Sequence, residues 1–369
     1  LDLLFILKEM MKTNPKKFNI FQKKPIPVDQ FIEKILYEPK IGYYSSKDPF
    51  GKKGDFITSP TISNLFSEII AIWLVSTWEK IGKPKKFNLI ELGPGDGSLT
   101  KVIINTLKKF PEINKAIKIF LYEKSEFLKK LQKKKIKNKN IKWIKNFDSI
   151  KNGPVIFFGN EFFDAIPIKQ FNNKSGELFE KYYIIENKFD INETFIKSSY
   201  KDKAQIQSFK TLKKLKFIEY PKKGFLELNP IMKKILNLSG GILLIDYGYL
   251  NSNNSNTIQA VMNNKKISMS SMFNNLGKTD ITSLVNFNLL KEYFIKNNLK
   301  VKKIVTQRFF LERMGIIERV KILEKKMNNK QRKYMEVTLS RLLGENQMGN
   351  LFKVIFAYKN KNNDFFGFE

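Results

Sequence analysis

The sequence predicts an α/β protein built on a doubly wound, largely parallel sheet. Short apolar runs alternate with helical patterns along much of the chain, as is typical of strands buried on both faces. Of the 369 residues, 42% are hydrophobic, which suffices for one large core or for two domains. We expect the core at 84–168 and 229–369, with an N-terminal helical extension at 1–83 and an antiparallel β insertion at 169–228.

The individual elements follow from the same patterns, in chain order. An amphipathic pattern predicts a helix at 28–36, and a strongly apolar pattern predicts another at 66–82. Four apolar runs predict core strands: Phe87–Leu92, Ile117–Tyr122, 155–158 and 242–245. Helices are expected between these strands at 98–109 and 124–134.

Later stretches depart from this alternation. Between 169 and 228, pieces such as "LFEKYYIIEN" and "GFLELNP" alternate between apolar and polar residues, which predicts antiparallel strands. The Asn- and Ser-rich segment at 251–257 is expected to be a loop, and "LFKVIFAYK" at 351–359 to be a late strand.

The composition restricts the chemistry that the chain can perform. The sequence has no cysteine and no histidine, so we expect no disulfide, no metal site and no thiolate or imidazole catalyst. Catalysis must then use carboxylates, lysines, tyrosines, backbone groups or a cofactor. No apolar run approaches the ~18 residues of a membrane span, and we expect a soluble protein of a reducing compartment.

The charge balance is strongly basic. A formal net charge of +32, from 67 Lys and Arg against 35 Asp and Glu, is typical of proteins that bind nucleic acid or anionic membranes. A compositional bias explains the charge as well, because Lys, Asn, Ile and Phe are abundant along the whole sequence. The lysines are spread out instead of forming one patch interleaved with aromatic residues. We therefore expect no specific nucleic-acid partner.

A glycine loop follows the first predicted core strand, in "LIELGPGDGSL" at 89–99. A dinucleotide-binding loop has the spacing G-x-G-x-x-G, whereas Gly93, Gly95 and Gly97 bring the third glycine one residue early. Glu91 stands at the end of the strand, before the first glycine. The arrangement E-x-G-x-G-x-G resembles that of class I S-adenosylmethionine methyltransferases. A tight turn without a ligand and an NAD-binding loop are the alternatives.

The chemistry of S-adenosylmethionine fits this order of residues. Glycines allow the backbone to approach the methionine tail, and Glu91 can offset the ammonium group of that tail. A helix N-terminus at Ser98 favours the carboxylate of the tail. A second acid is needed for the ribose hydroxyls at the end of the next strand, where Glu123 stands. Asn146 and Phe147 follow the next predicted strand, "IKWI", and we expect them to border the adenine.

A second group of polar residues lies in "PVIFFGNEFFDAIP" at 154–167. Glu161 and Asp164 follow an apolar strand, and their i, i+3 spacing predicts that they share one side of a helical turn. The neighbouring phenylalanines would desolvate both carboxylates, which is a sign of a functional site. We expect these two acids to be catalytic, with Asn160 in the substrate pocket. The alternative is that the acids only stabilise a helix N-terminus.

Six segments of the chain together resemble the MidA family of S-adenosylmethionine-dependent methyltransferases. The similarity covers about residues 25 to 358. The segments are "GDFITSPTIS" (54–63), "LIELGPGDGSL" (89–99), "NEFFDAIPIKQF" (160–171), "IDYGY" (245–249), "KTDITSLVNF" (278–287) and "MGNLFKV" (348–354).

The resemblance implies a class I, Rossmann-like methyltransferase fold with family-specific insertions. It also implies methylation of arginine on a partner protein, a subunit of respiratory complex I or its bacterial equivalent. The compartment would be the bacterial cytoplasm, or the mitochondrial matrix in a eukaryote. We expect "GDFITSP" to form part of the pocket wall through Asp55, Phe56, Thr58 and Ser59. A homodimer is left open.

The chain departs from the family pattern in two places. Thr61 replaces a glutamate of the family, and Leu284 and Asn286 replace a histidine and an aspartate. Activity or substrate identity would change if either lost group touches the substrate.

Arginine methylation agrees with the chemistry of the candidate residues. Guanidinium stays protonated in proteins, so its nitrogens are poor nucleophiles. Paired carboxylates can bind it through charge-assisted bonds and hold one nitrogen in line with the methyl group.

Three rival functions remain at the level of sequence. A nucleic-acid methyltransferase is one of them, although the chain lacks the N/D-P-P-Y/F loop common in enzymes that methylate base amino groups. A non-catalytic, cofactor-binding assembly factor and a small-molecule methyltransferase are the others.

Overall fold

The computed structural model of the chain describes residues 24–38, 42–46, 64–138, 140–185, 191–262, 265–268, 271–272, 275 and 278–369. The expected pocket residues Asp55, Phe56, Thr58 and Ser59, and the departure at Thr61, lie outside these ranges. None of the described helices combines the length and the apolar character that crossing a membrane requires.

The described strands and helices are numbered in chain order. The strands are β1 (Ile26–Pro27), β2 (Phe87–Leu92), β3 (Ile117–Tyr122), β4 (Ile141–Ile144), β5 (Val155–Asn160), β6 (Lys169–Lys174), β7 (Glu177–Ile185), β8 (Ile191–Lys197), β9 (Phe217–Tyr220), β10 (Gly240–Tyr249), β11 (Gln259–Met262), β12 (Lys265–Ile267), β13 (Asp280–Thr282), β14 (Val285–Asn286), β15 (Lys300–Val301), β16 (Val305–Thr306) and β17 (Phe352–Lys359). The helices are α1 (Val28–Tyr37), α2 (Tyr43–Ser46), α3 (Asn64–Lys80), α4 (Ser98–Leu107), α5 (Pro111–Ala116), α6 (Glu126–Lys135), α7 (Tyr200–Gln207), α8 (Lys222–Leu238), α9 (Phe287–Lys296), α10 (Gln307–Arg313), α11 (Ile316–Glu324), α12 (Asn329–Leu343) and α13 (Met348–Leu351).

A nine-stranded mixed sheet forms the centre of the described structure. Its strands lie in the order β15-β17-β10-β5-β2-β3-β4, with β14 beside β10 and β16 beside β17. The five strands from β10 to β4 pair in parallel, and β17 pairs antiparallel with β10. The predicted α/β class is therefore confirmed, with an antiparallel strand at one end of the parallel set.

Helices cover both faces of this sheet. Successive residues of a strand point to opposite faces, and Leu89 and Ile90 of β2 accordingly belong to two different hydrophobic clusters. The first cluster includes side chains of α3, α4 and α10, and the second includes side chains of α8 and α9. All six residues of β2 are buried and four of them are apolar, with Asn88 and Glu91 as the polar exceptions.

A second, five-stranded antiparallel sheet contains β1, β7, β6 and β9 in this order, with β8 beside β7. Four of these strands lie within 169–228, the expected insertion. The prediction of an antiparallel piece in "GFLELNP" is wrong, because these residues lie in α8. Phe225, Leu228 and Ile231 are buried at a spacing of three residues, which is a helical period.

The N-terminal extension packs beside a small third sheet of the order β12-β11-β13. Buried side chains of α1 form a hydrophobic cluster with Tyr43, Ile168 and Ile281. This packing brings α1 and α2 to the carboxyl ends of the central parallel strands, where ligands bind in such folds.

Candidate functional site

The glycine loop connects β2 to α4. Gly93, Gly95 and Gly97 all have positive φ angles, of 61°, 54° and 80°, which side chains other than glycine rarely adopt. Gly93 and Gly95 line a cavity of about 440 Å³. A Cβ atom on Gly93 would lie 3.0 Å from Cδ2 of Phe162, so a side chain there would press on this ring, which also lines the cavity.

Gly97 has a different position from the other two glycines. It caps the N-terminus of α4, and a Cβ atom there would lie 2.8 Å from Cδ1 of Ile136. Gly97 is not among the residues that line the cavity. Its part in cofactor binding stays a prediction, whereas its positive φ angle favours glycine regardless of the ligand.

Glu91 lies in β2, just before the loop, is 5% exposed and is not among the residues that line the cavity. Its contact with the methionine tail stays a prediction. Its carboxyl group accepts a hydrogen bond from the hydroxyl of Thr100. Burial, followed by the charges of Asp96 and Glu123, raises the pKa of Glu91 to about 8. A nearby cation would restore the ionised form of this acid.

Glu123 follows β3 directly and lines the cavity. Its Oε1 accepts the backbone N–H of Ser125 at 2.8 Å, and its Oε2 accepts Nε2–H of Gln132 at 3.2 Å. The same Nε2 donates to the carbonyl of Gly95 at 2.8 Å, so Gln132 connects the acid to the glycine loop. Burial raises the pKa of Glu123.

Asn146 and Phe147 follow β4, and neither lines the cavity. The ring of Phe147 is buried and lies 5.1 Å from that of Tyr122, which does line it. Their expected contact with adenine stays a prediction.

Glu161 follows β5 and lines the cavity with a positive φ angle of 50°. Its backbone N–H donates to Ile245 O at 2.9 Å, and its Oε1 accepts from the amide of Asn160 at 3.1 Å. The expected helical turn shared by Glu161 and Asp164 is wrong, because Glu161 has a left-handed conformation and the hydrogen-bonded turn begins at Phe163. Such a conformation in a residue other than glycine is typical of functional sites.

Asp164 lines the same cavity but is almost fully buried, at 5% exposure. Burial raises its pKa to about 6, and a hydrogen bond from Tyr247 opposes this shift. Oδ1 of Asp164 has no hydrogen-bond partner among the described residues. A buried carboxylate oxygen without a partner is costly unless a ligand supplies the missing donor.

Several residues that the sequence did not single out complete the cavity. Tyr37 and Tyr44 come from the N-terminal extension and Asp280 from β13, and all three line the cavity. The Tyr44 hydroxyl donates to Oδ2 of Asp280 at 3.0 Å. The signal for Asp280 was its place in "KTDITSLVNF", whereas nothing distinguished the two tyrosines from core residues.

The cavity is acidic although the chain is basic. Its described lining includes six carboxylate side chains, those of Glu33, Glu123, Glu161, Asp164, Glu227 and Asp280. The lysines in the same lining are Lys124, which pairs with Glu227, and Lys223, which pairs with Glu33. A cavity of this kind favours a cationic ligand.

These groups fit the cofactor expected from the sequence. Gly93 and Gly95 line the cavity, and Glu123 stands where an acid is needed for ribose hydroxyls. The two departures at Leu284 and Asn286 lie outside this cavity. Asn286 caps α9 by accepting from Leu289 N at 3.0 Å, and Leu284 N donates to the hydroxyl of Thr257 at 3.0 Å.

The chain resembles known methyltransferases over most of its length. Residues 69–305 match the model of a family described as "putative S-adenosyl-L-methionine-dependent methyltransferase". The Caenorhabditis elegans protein named "Protein arginine methyltransferase NDUFAF7 homolog, mitochondrial" is 32% identical, with 94% of this chain and 88% of that protein covered. The human "Protein arginine methyltransferase NDUFAF7, mitochondrial" is 27% identical, with 84% of this chain and 75% of that protein covered.

A solved structure supports the fold independently. A Burkholderia thailandensis protein bound to S-adenosyl-homocysteine superposes with a TM-score of 0.75 at 18% identity. The match covers 94% of this chain and 89% of that one. At this identity the likeness establishes the fold alone.

Proposed function

Since the chain belongs to the family of S-adenosyl-L-methionine-dependent methyltransferases that matches its residues 69–305, we propose that it methylates an arginine side chain of a partner protein. The names of its curated relatives support arginine as the acceptor. The observation that carries the proposal is the pair Glu161 and Asp164, which lines the cavity beside the glycine loop.

This pair suits a guanidinium group better than a neutral acceptor. Asp164 is buried, and one of its carboxylate oxygens has no hydrogen-bond partner among the described residues. A charged donor that entered the cavity would supply the missing hydrogen bond and so offset the desolvation cost of this oxygen. Glu161 has a strained backbone conformation and lines the same cavity. Two carboxylates at one guanidinium restrict its rotation and hold one nitrogen in place.

The reaction requires little of the protein beyond this positioning. Bound S-adenosylmethionine would supply an electrophilic methyl group, and transfer of that group to a guanidinium nitrogen would leave the thioether and release one proton. Asp164, with its raised pKa of about 6, is placed to accept that proton near neutral pH. The carboxylates also draw positive charge away from the attacking nitrogen.

The partner protein follows from the resemblance to the MidA family. We expect a subunit of respiratory complex I or its bacterial equivalent to carry the methylated arginine. The mitochondrial matrix is the expected compartment in a eukaryote, in line with the word "mitochondrial" in the relatives' names, and the cytoplasm is expected in a bacterium.

Nucleic acid is a poorer candidate for the methyl acceptor. The carboxylates that line the cavity would repel a phosphate backbone at the point where the reaction occurs. The basic surface therefore supports, at most, salt-sensitive and unselective binding of nucleic acid.

The experiment that tests the proposal is methyl transfer from labelled S-adenosylmethionine to proteins of a lysate lacking this enzyme. Acid hydrolysis and mass spectrometry should find the label in methylarginine on one or a few proteins. Label in nucleic acid, in lysine or only in small molecules would contradict the proposal.

A further inference from the structure

We propose that Asp280, positioned by Tyr44, is a third substrate carboxylate and selects arginine over lysine. This inference rests on the proposed function and concerns the same cavity. Asp280 belongs to the short strand β13, far in sequence from Glu161 and Asp164. It is 1% exposed, yet it lines the cavity together with them.

The position of Asp280 is fixed from two directions. Oδ2 accepts the Tyr44 hydroxyl at 3.0 Å, and Oδ1 accepts the backbone N–H of Ile281 at 2.9 Å. Because α2 and β13 are separate in sequence, the tyrosine connects the N-terminal extension to this acid. A carboxylate held in this way loses little side-chain entropy when it binds a cation.

The segment around β13 is also fastened to Asp164. The backbone N–H of Ser283 donates to Asp164 O at 3.1 Å. Movement of one acid relative to the other is therefore restricted, which is what two groups that grip one ligand require.

A third acid has a specific use for guanidinium. A guanidinium group carries five N–H donors in one plane, and a single carboxylate can engage two of them. In a buried site the other donors are costly unless they find acceptors. Asp280 supplies such acceptors beside Glu161 and Asp164. A lysine ammonium has three donors and no planar face, so it gains less from the same arrangement.

The aromatic residues next to Asp280 also favour arginine over lysine. The rings of Tyr37 and Tyr44 stack with centroids 5.6 Å apart and 24° between their planes. Burial raises the pKa of Tyr37, and the charges of Asp280, Glu123 and Asp164 raise it further, so the phenol stays neutral among these acids. A planar guanidinium can lie against a neutral aromatic ring, whereas an ammonium is more strongly hydrated and gains less there.

The position of Tyr44 does not depend on its own hydroxyl alone. Its carbonyl accepts the Ser125 hydroxyl at 2.7 Å, next to the acid Glu123. Its ring also meets Tyr43 edge-on, with centroids 5.1 Å apart. Tyr44→Phe should therefore keep the ring in place while it removes the donor to Asp280.

The test uses the full chain, saturated with S-adenosylhomocysteine, and two probes, acetyl-arginine amide and acetyl-lysine amide. Dissociation constants from calorimetry give the preference for arginine. We expect the wild type to prefer the arginine probe by at least about tenfold. Asp280→Asn should reduce that preference to about threefold or less, and Tyr44→Phe should give an intermediate value.

Measurements of cofactor affinity distinguish a role in substrate selection from a general effect of the substitutions on the structure. Both variants should bind S-adenosylhomocysteine as the wild type does, because neither residue belongs to the glycine loop. Glu336→Gln removes one charge from the exposed face of α12 and should change nothing. If Tyr44→Phe and Asp280→Asn keep the wild-type preference, the inference is wrong. A wild type that methylates arginine in the lysate experiment but prefers neither probe also contradicts the inference, while the proposed function stands.

Discussion

Asp246 and Asp164 are joined through the backbone: Oδ2 of Asp246 accepts the N–H of Asp164 at 3.2 Å. The same oxygen accepts the N–H of Phe163 at 2.9 Å. Burial and the charge of Asp164 raise the pKa of Asp246 well above its usual range. Asp246 thus fixes the turn that carries Asp164, although the two acids repel each other when both are ionised.

Asp164→Asn should stabilise the protein, in a pH-dependent way. The folded state raises the pKa of Asp164 from 3.8 to about 6, so it binds this proton more tightly than the unfolded chain does. The wild type therefore loses stability as pH rises through this range, and the loss remains at higher pH. Relative to wild type, the variant should melt about 3–6 °C higher at pH 7.5 and nearly equally at pH 4.

The same variant should be less active, because an amide cannot pair with a guanidinium charge. Thermal melting at several pH values and methylation assays at pH 7.5 measure both effects. A lower melting temperature at pH 7.5 would show that the Asp164 carboxylate is well compensated in the folded state.

Glu161→Gln should slow arginine methylation without weakening cofactor binding. The substitution keeps the shape of the side chain but removes the charge that pairs with guanidinium. The loss should be on the order of 2–4 kcal/mol, or about 30- to 1000-fold in rate. Rates on the labelled partner protein and calorimetry with S-adenosylhomocysteine measure the two effects, with Glu336→Gln as a charge-matched control. Wild-type rates for Glu161→Gln would exclude the carboxylate pair as a substrate clamp.

Gly95→Val should abolish most of the cofactor affinity. A side chain at this position would occupy space beside the cavity, and the positive φ of 54° is also unfavourable for valine. Gly176→Val is the matched control, because Gly176 has a φ of 89° but lies in an exposed turn with open space around its Cβ position. Both variants should lose similar stability, and only Gly95→Val should lose affinity in calorimetry. Equal cofactor affinities in the two folded variants would show that this loop does not bind the cofactor.

Cofactor binding should release a proton from Glu91. With its pKa raised to about 8 by burial and neighbouring acids, Glu91 is largely protonated at pH 7. The ammonium group of the methionine tail would favour the ionised form, so affinity should rise with pH up to about 8. Calorimetry at pH 7 in phosphate and in Tris gives the number of protons released, because the two buffers differ in ionisation enthalpy. Close to one proton is expected for the wild type and about none for Glu91→Gln; equal values for both would contradict this role.

The core strands were predictable because most of their residues are apolar and buried, over a length that suits a strand. The predicted range Phe87–Leu92 agrees with β2 to the residue, and Ile117–Tyr122 agrees with β3. The error at "GFLELNP" has a physical cause. Gly224 and Pro230 resemble the boundaries of a strand, and Leu226 and Leu228 on either side of a glutamate imitate a period of two residues. Leu226 is exposed, however, and the buried positions follow the helical period.

The site was predictable only where a single stretch of sequence carries its chemistry. Gly93, Glu123, Glu161 and Asp164 each follow a predicted strand, and the structure gathers them at one cavity. The contribution of Asp280 depends on the tertiary contact between β13 and α2, which no local sequence pattern predicts. The left-handed conformation of Glu161 could not be predicted from the sequence either, because glutamate rarely adopts it and the tertiary structure imposes it.

The aromatic wall formed by Tyr37 and Tyr44 precedes residue 69, where the match to the methyltransferase family begins. The glycine loop and the acids after β3 and β5 all lie inside that match. The cavity therefore combines an aromatic wall that precedes the matched residues with carboxylates that lie within them. A substitution at Tyr37 or Tyr44 would therefore alter the surface that a substrate side chain meets without removing a residue of the glycine loop or a carboxylate of the cavity.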